Sequence, residues 1–214
     1  MNIYSVISKA YDLLDVIYFS EKGKNPREVI MDMIPDKKVY VLDMCCGTLS
    51  NTIAIAEKKP DIKVVGLDLS KDMLRIAKKK INKKHLENVK LKCASATETG
   101  MLDNTFDYII IGLVLHESSP TLIDGILKEA YRLLKDDGKL IILEWEQQNR
   151  LWQIVKFAPL YWLERINCKT FKQFYEVDKK KFFKKYRFRV KDEVHCNYSV
   201  VMALDKMEES VCVE

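Results

Sequence analysis

The chain has 214 residues, 48% of them hydrophobic and 31% charged, which is typical of a folded globular protein and excludes a disordered or fibrous one. No uninterrupted apolar run reaches the roughly 18 residues that a transmembrane helix needs, and the N-terminal apolar pattern is interrupted by charges. The net charge is +5, and the six cysteines show neither CxxC pairs nor histidines at metal-site spacing. We therefore expect a cytoplasmic protein without a signal peptide, a transmembrane segment or a metal.

Helical and strand-like patterns alternate along the chain. Apolar residues repeat at helical spacing in residues 3–18, 51–59, 70–81 and 119–134, where Ser70 and the pair Ser119-Pro120 are suited to begin a helix. Short apolar runs typical of buried strands occupy residues 39–44, 63–68, 88–94, 106–112 and 139–145, the last after a predicted turn at Asp137-Gly138. After a helix at 171–184, residues 186–194 and 197–205 form a predicted hairpin.

This alternation predicts an α/β fold. Near-continuous apolar strands separated by helices are typical of a parallel sheet that is covered on both faces. The hairpin at the end must add an antiparallel strand. We therefore expect a Rossmann-like, seven-stranded, mostly parallel sheet with helices on both faces and a C-terminal antiparallel hairpin.

The turn after the first strand, in VYVLDMCCGTLSN (residues 39–51), predicts a nucleoside site with few glycines. Asp68 closes the second strand about 25 residues after Asp43, close to the roughly 20-residue spacing at which an acid binds ribose hydroxyls. A pyrophosphate would need further glycines where Cys45 and Leu49 stand, and the Gly-Lys-Ser/Thr of a P-loop is missing. A ligand without phosphates, whose ammonium Asp43 would attract, fits this turn better.

Four stretches resemble class I S-adenosylmethionine-dependent methyltransferases: VLDMCCGT, VVGLDLSKDML, FDYIIIGLVLHE and LLKDDGKLIILEW. The double-cysteine turn and GLDLSKDML are most similar to the C-methyltransferases of menaquinone and ubiquinone biosynthesis and related small-molecule enzymes. The resemblance covers about residues 37–145 and, by element order alone, the hairpin. It implies S-adenosyl-L-methionine as the cofactor, S-adenosyl-L-homocysteine as its product, and a small apolar or aromatic acceptor methylated at C, O, N or S.

The resemblance also implies roles for individual positions. Asp43 and the turn would hold the methionine end of the cofactor and Asp68 the ribose. Leu69, Met73 and residues 95–97 would contact the adenine, while Gly112, Leu113 and His116 would face the sulfonium and the acceptor. The family usually has aspartate where Ser95 stands, and a glycine is expected where Leu49 stands. The implied cofactor-binding residues are Asp43, Met44, Cys45, Cys46, Gly47, Thr48, Asp68, Leu69, Met73, Ser95, Ala96, Thr97, Gly112 and Leu113.

Three further residues and two segments are candidates for the acceptor side. His116 is the only histidine near the predicted cleft and is a candidate base, with Glu117 and Glu144 as alternatives; a histidine after a strand can also be structural. The aromatic residues of the first helix and of segment 146–171 would close over the acceptor, although that segment also suits a helix on the sheet edge or a dimer contact. These lid candidates are Tyr4, Tyr11, Trp152, Phe157, Tyr161 and Trp162.

Two other functions stay open. Residues 179–189 interleave basic and aromatic side chains, as in RNA-binding surfaces, but nearby acids dilute the charge, so nucleic acid is not the expected partner. A non-catalytic protein with a cofactor-binding fold is the second alternative. The predicted organisation is one methyltransferase domain, monomeric or homodimeric, with a helical cap at 1–36, a cofactor core at 37–145, a lid at 146–184 and the hairpin at 185–205.

Overall fold

The computed structural model describes residues 18–19, 25–168 and 170–207, with only the backbone of Asn167. Its sheet contains the strands β1 (Tyr40–Met44), β2 (Lys63–Asp68), β3 (Val89–Cys93), β4 (Phe106–Gly112), β5 (Leu134–Trp145), β6 (Phe188–His195) and β7 (Ser199–Lys206). The helices are α1 (Pro26–Met33), α2 (Ile53–Lys58), α3 (Lys71–Lys83), α4 (Pro120–Leu133), α5 (Leu151–Asn167), α6 (Phe171–Glu176) and α7 (Lys179–Lys184), with a 3₁₀ turn at Leu115–Glu117.

The seven strands form one sheet in the order β3-β2-β1-β4-β5-β7-β6. The first five run parallel, whereas β7 is antiparallel to both of its neighbours, β5 and β6. Buried apolar clusters lie on both faces of this sheet, one under α1, α2 and α3 and the other under α4, α6 and α7. The predicted fold class, with its mostly parallel sheet and terminal antiparallel hairpin, is confirmed.

Side-chain caps begin two of the helices where the sequence predicted them. The Ser70 hydroxyl accepts a hydrogen bond from the backbone N–H of Met73, and the Ser119 hydroxyl accepts one from that of Leu122. Pro120 follows Ser119 as the first helical residue, where its missing N–H costs nothing. These caps fix where α3 and α4 start, and both starts face the carboxyl ends of the strands.

The predicted turn at Asp137-Gly138 is wrong, because β5 begins at Leu134 and runs through these residues. The pairing of β4 with β5 shifts register between Phe106 and Tyr108, which accommodates the polar residues within the strand. A Cβ at Gly138 would lie 2.9 Å from the Leu134 side chain and 3.0 Å from the Asp107 carbonyl oxygen. The glycine therefore serves close packing within a strand and does not form a turn.

The helix predicted at 171–184 is two helices. Asp178 lies between α6 and α7 in an extended conformation, and its side chain accepts a hydrogen bond from the backbone N–H of Lys181. Aspartate is among the residues that cap helices best, so this side chain begins a new helix instead of continuing the old one. The periodicity of the apolar residues alone did not reveal this break.

A third apolar cluster lies at the end of β5, under α5. It contains Tyr18, Phe19, Trp145, Phe157, Leu160, Phe171 and Tyr198. Its rings contact each other edge-to-face and stacked, for example Phe157 on Tyr198 with centroids 5.8 Å apart. This aromatic cluster anchors the inner face of α5 beside the carboxyl end of the sheet.

Candidate active site

A cavity of about 490 Å³ opens at the carboxyl ends of the parallel strands. Its walls come from the loops after β1, β2, β3 and β4 and from parts of α1, α3 and α4. The chain runs outward from β1 to β3 and then returns to place β4 on the other side of β1, so the strand order reverses here. Open α/β sheets bind their ligands in such a crevice.

The turn after β1 is tight although it contains only one glycine. The backbone of Cys45, Gly47 and Leu49 is left-handed, with φ of 61°, 52° and 67°. Two hydrogen bonds hold it, from the Cys46 N–H to the Leu67 carbonyl (2.9 Å) and from the Leu49 N–H to the Cys46 carbonyl (2.8 Å). A left-handed conformation costs a non-glycine residue about 1–2 kcal/mol, so the turn is held against that cost by its surroundings.

Leu49 turns its side chain away from the cavity. It is fully buried, and a Cβ on Gly66 of β2 would lie 2.5 Å from the Leu49 Cδ1. Gly66 therefore provides the space that Leu49 occupies inside the apolar cluster under β1 and β2. The departure from the glycine expected at this position leaves the cavity open.

Asp68 joins the two loops that form the floor of the cavity. Its Oδ2 accepts a hydrogen bond from the Gly47 N–H and its Oδ1 accepts one from the Ser70 N–H, both at 2.8 Å. The carboxylate is half-buried and lines the cavity. Each carboxylate oxygen has about two lone-pair sites, so both oxygens keep capacity to accept a hydroxyl from a ligand.

Asp43 lies beneath the turn and does not line the cavity. It is fully buried, its Oδ2 accepts a hydrogen bond from the Thr52 hydroxyl at 2.6 Å, and its Oδ1 has no hydrogen-bond partner among the described residues. Burial raises the pKa of Asp43 to about 7, the Thr52 bond opposes that rise, and Asp68 adds to it. An unsatisfied acceptor therefore sits directly below the cavity floor.

His116 is buried behind the cavity wall. Its Nδ1 lies 2.6 Å from Glu144 Oε2 and its Nε2 lies 3.9 Å from Glu164 Oε2, while Glu144 Oε1 accepts a hydrogen bond from the Leu115 N–H. Burial alone would lower the pKa of His116, but Glu144 outweighs it and raises the pKa to about 9. The imidazole is therefore protonated at neutral pH and is a poor acceptor of a further proton.

Glu117 lines the cavity, whereas His116, the first candidate base in the sequence analysis, does not. The Glu117 side chain is exposed, yet partial desolvation by the protein packed around it raises its pKa; His116 opposes this rise, and Glu164 and Glu144 add to it. One imidazole nitrogen of His116 and one carboxylate oxygen each of Glu117 and Glu164 lie within 4.8 Å of one another. One imidazolium thus faces three carboxylates, and among them it is Glu117 that reaches the cavity.

Most of the predicted cofactor-binding residues line the cavity. Met44 is fully buried in the core, and Thr97 packs its methyl group against Gly125 and pairs its hydroxyl with the Ser95 hydroxyl at 2.9 Å. With Asp43, these two lie outside the cavity wall. The predicted residues that line it are Cys45, Cys46, Gly47, Thr48, Asp68, Leu69, Met73, Ser95, Ala96, Gly112 and Leu113.

The wall also includes residues that sequence reasoning did not assign to the site. Leu122 and Ile126 lie on the apolar stripe of α4, which was read as core; a helix that starts beside the strand ends also borders the cavity there. Arg27 comes from α1, and its Nε donates to Asn51 Oδ1 at 3.4 Å; no sequence signal connected this helix to the site. The unassigned residues are Arg27, Ser50, Asn51, Leu67, Ser70, Val114, Ser118, Leu122 and Ile126.

The described lid candidates lie apart from the cavity. Phe157 is buried in the aromatic cluster and Tyr161 is half-buried beside it, whereas Trp152 and Trp162 are exposed. None of the four lines the cavity in the part of the chain that the structure describes. Tyr4 and Tyr11 lie outside the described residues, and closure by any of these groups stays a prediction.

The cysteines of the turn are poor nucleophiles. Burial raises the pKa of Cys45 to about 12 and that of Cys46 further still, and the carboxylates of Asp43 and Asp68 add to both shifts. No disulfide joins the five cysteines that the structure describes, and Cys212 lies outside the described residues. Because the thiols stay protonated, neither cysteine of the turn is suited to act as a nucleophile.

A sequence model of the ubiE/COQ5 methyltransferase family matches residues 1–182. The chain belongs to this family. The family assignment confirms the sequence-based prediction of an S-adenosylmethionine-dependent methyltransferase, and with it the predicted cofactor. Nucleic-acid binding, oligomeric state and the division into cap, core and lid stay predictions.

Curated relatives of this family member align over much of the chain. A demethylmenaquinone methyltransferase of Geobacillus sp. (strain WCH70) is 37% identical over 163 residues, which cover 75% of this chain and 67% of the relative. One of Bacillus cereus (strain ATCC 10987 / NRS 248) is 39% identical over 150 residues, covering 68% and 62%. The chain thus spans about two thirds of the length of these relatives.

The fold is shared with solved methyltransferase structures. An S-adenosylmethionine-dependent methyltransferase from Aquifex aeolicus superposes with a TM-score of 0.68 at 20% identity, over 95% of this chain and 98% of that one. At that identity the likeness shows the fold. Among the described residues, none of the helices combines the length and the apolarity needed to cross a bilayer.

Proposed function

We propose that this family member transfers a methyl group from S-adenosylmethionine to a ring carbon of a quinone-type acceptor related to demethylmenaquinone. The observation that carries the proposal is that one cavity joins the Asp68 carboxylate and the β1 turn to the apolar side chains of Leu113 and Val114. The names of the relatives supply the acceptor class. A flat, apolar ring is compatible with a wall of this kind.

The chemistry of the residues fits the proposed cofactor. Asp68 is half-buried with unused lone pairs, as binding of two ribose hydroxyls requires. The carboxylates of Asp68 and Glu117 line the cavity and give it an anionic character that suits an ammonium and a sulfonium, while the unsatisfied Oδ1 of Asp43 lies beneath the turn. Leu69 and Met73 offer apolar contacts for the adenine.

The cofactor supplies a methyl group on a cationic sulfur, so the chain has to orient the acceptor, exclude water and manage one proton. A ring carbon that gains a methyl group must lose a proton. We assign receipt of that proton to Glu117, directly or through water, because it lines the cavity and its pKa is raised. His116 then acts behind it, as a buried imidazolium that holds Glu144 and Glu164 in place.

The test is methylation of a short-chain demethylated naphthoquinol by the purified protein, followed by mass spectrometry. Glu117→Gln is expected to lower kcat by about 100-fold or more, the usual contribution of a general base, while S-adenosylhomocysteine binding stays unchanged. Glu87→Gln, an exposed acid before β3 at the opposite end of the sheet, is the matched control and keeps wild-type turnover. A protein that binds the cofactor but methylates no naphthoquinol would refute the acceptor class.

A further inference from the structure

The helix α5 has two apolar faces, of which one is buried. Its inner face places Phe157 and Leu160 in the aromatic cluster, with Tyr161 beside them. Its outer face carries a second apolar row that recurs at helical spacing over four turns and stays exposed in the described structure, although the Trp152 ring meets the Tyr198 ring edge-on with centroids 6.4 Å apart. The outer row is Leu151, Trp152, Val155, Pro159, Trp162, Leu163 and Ile166.

The outer row is exposed to an extent that needs an explanation. Apart from Pro159, the exposed fraction of its residues runs from 49% at Trp152 to 77% at Leu151. Isolated exposed leucines are ordinary, but a contiguous apolar patch of this kind on a protein surface marks an interaction site. Leu102, at 83% exposed on a loop before β4, is an isolated example of the ordinary case.

The charges around the row identify the partner. Lys156 and Arg165 border it on opposite sides of the helix, and Arg150 precedes its first turn; all three are exposed. The Arg165 guanidinium lies 5.4 Å from the centroid of the Trp162 ring. The only acid of α5 is Glu164, which faces inward toward His116. An apolar stripe with basic borders and tryptophans is the composition of helices that lie in the interface of an anionic bilayer.

We propose that the outer face of α5 docks on the surface of an anionic lipid bilayer. The apolar row enters the boundary between headgroups and acyl chains, and Arg150 and Arg165 reach the lipid phosphates with their long side chains. Lys156, whose ammonium lies 5.6 Å from the centroid of the Tyr198 ring, borders the row on its other side. The tryptophans suit this depth, since their rings are apolar and their N–H groups are polar. The helix lies in the plane of the membrane surface and does not cross it.

This docking places the cavity close to the lipid. The inner face of α5 packs on the aromatic cluster, and Leu113, which lines the cavity, packs against the same cluster. Glu164 of α5 lies 3.9 Å from His116, the neighbour of the cavity residue Glu117. Binding at this face does not depend on which acceptor the cavity takes, so it can be tested apart from the proposed reaction.

The test is co-sedimentation of the full chain with vesicles of phosphatidylcholine and phosphatidylglycerol, and with vesicles of phosphatidylcholine alone. The wild type is expected to sediment with the anionic vesicles and to be released by salt, because exposed charges are screened. The double variant Val155→Glu/Ile166→Glu is expected to bind the anionic vesicles at least about tenfold more weakly than the wild type, since it places two charges within the row. Leu102→Glu is the matched control and binds like the wild type.

Two control measurements accompany the vesicle assay, one of folding and one of oligomeric state. Thermal unfolding shows whether the double variant is folded; because both side chains are exposed, its melting temperature is expected to match that of Leu102→Glu. Light scattering reports the oligomeric state. Absence of vesicle binding by the wild type overturns the proposal, as does equal binding by the folded double variant. A wild-type dimer that the double variant dissociates, without vesicle binding, assigns the row to a second copy of this chain and also overturns it.

Discussion

Replacing Asp68 with alanine is expected to weaken S-adenosylhomocysteine binding by roughly 100-fold. A hydrogen bond to a charged group contributes about 1.5–3 kcal/mol, so two ribose hydroxyls bound by this carboxylate contribute at least about 3 kcal/mol. The substitution also removes the acceptor of the Gly47 and Ser70 N–H groups, which align the two loops. Since Asp68 is half-buried and water can replace those bonds, the free energy of unfolding should fall by only about 1–2 kcal/mol.

The assay is calorimetric titration with S-adenosylhomocysteine, which binds without turnover, accompanied by thermal unfolding. Asp68→Asn, which keeps one acceptor oxygen but no charge, should lie between alanine and the wild type. Asp72→Ala is the control, because Asp72 is an acid four residues away that pairs with Arg75 on the outside of α3. A dissociation constant for Asp68→Ala within about threefold of the wild type would refute the ribose assignment.

Three further predictions concern the surroundings of the cavity. Gly66→Ala should lower the free energy of unfolding by about 1–3 kcal/mol, because its Cβ meets the Leu49 side chain at 2.5 Å, and chemical denaturation would show it. His116, whose pKa rises from 6.5 to about 9 in the folded protein, should stabilise the fold fully below pH 6.5 and lose that contribution as the pH rises through 9; His116→Gln should flatten this slope in urea titrations. Thr52→Val should destabilise the protein by about 1–3 kcal/mol at pH 8, where it leaves the ionised Asp43 unbonded, and by less at pH 6; equal losses would contradict this.

The parallel core was predictable because its signals are local. The runs at 63–68 and 106–112 coincide with β2 and β4, and Ser70 and Ser119 cap the predicted helices. Likewise, the carboxyl ends of parallel strands must meet at one edge, so the sequence alone places the turn after β1 beside Asp68. Asp137 and Gly138 have the local pattern of a turn although they lie within β5. Only the pairing of β5 with β4 reveals that the strand continues through them.

The orientation of side chains was less accessible. Nothing in the sequence tells whether His116 or Glu117 faces the cavity, since a 3₁₀ turn of three residues decides it. Likewise, Asp43 and Met44 follow one another at the end of β1, yet both point into protein and leave the cavity to the next residue. Arg27 reaches the site from α1 through tertiary packing, and no pattern in the residues between Arg27 and the β1 turn predicts its contact with Asn51.

The position of β7 has a consequence for how the chain is made. It is the last strand along the described chain, yet it lies inside the sheet, between β5 and β6. Until Ser199–Lys206 have left the ribosome, the buried residues Leu140–Leu143 of β5 lie at an open edge, and an open apolar edge is a template for pairing with other chains. The nascent chain can therefore assemble β1 to β5 while it is still unprotected against aggregation. A premature stop ahead of β7 would yield an aggregating chain and not a shortened enzyme.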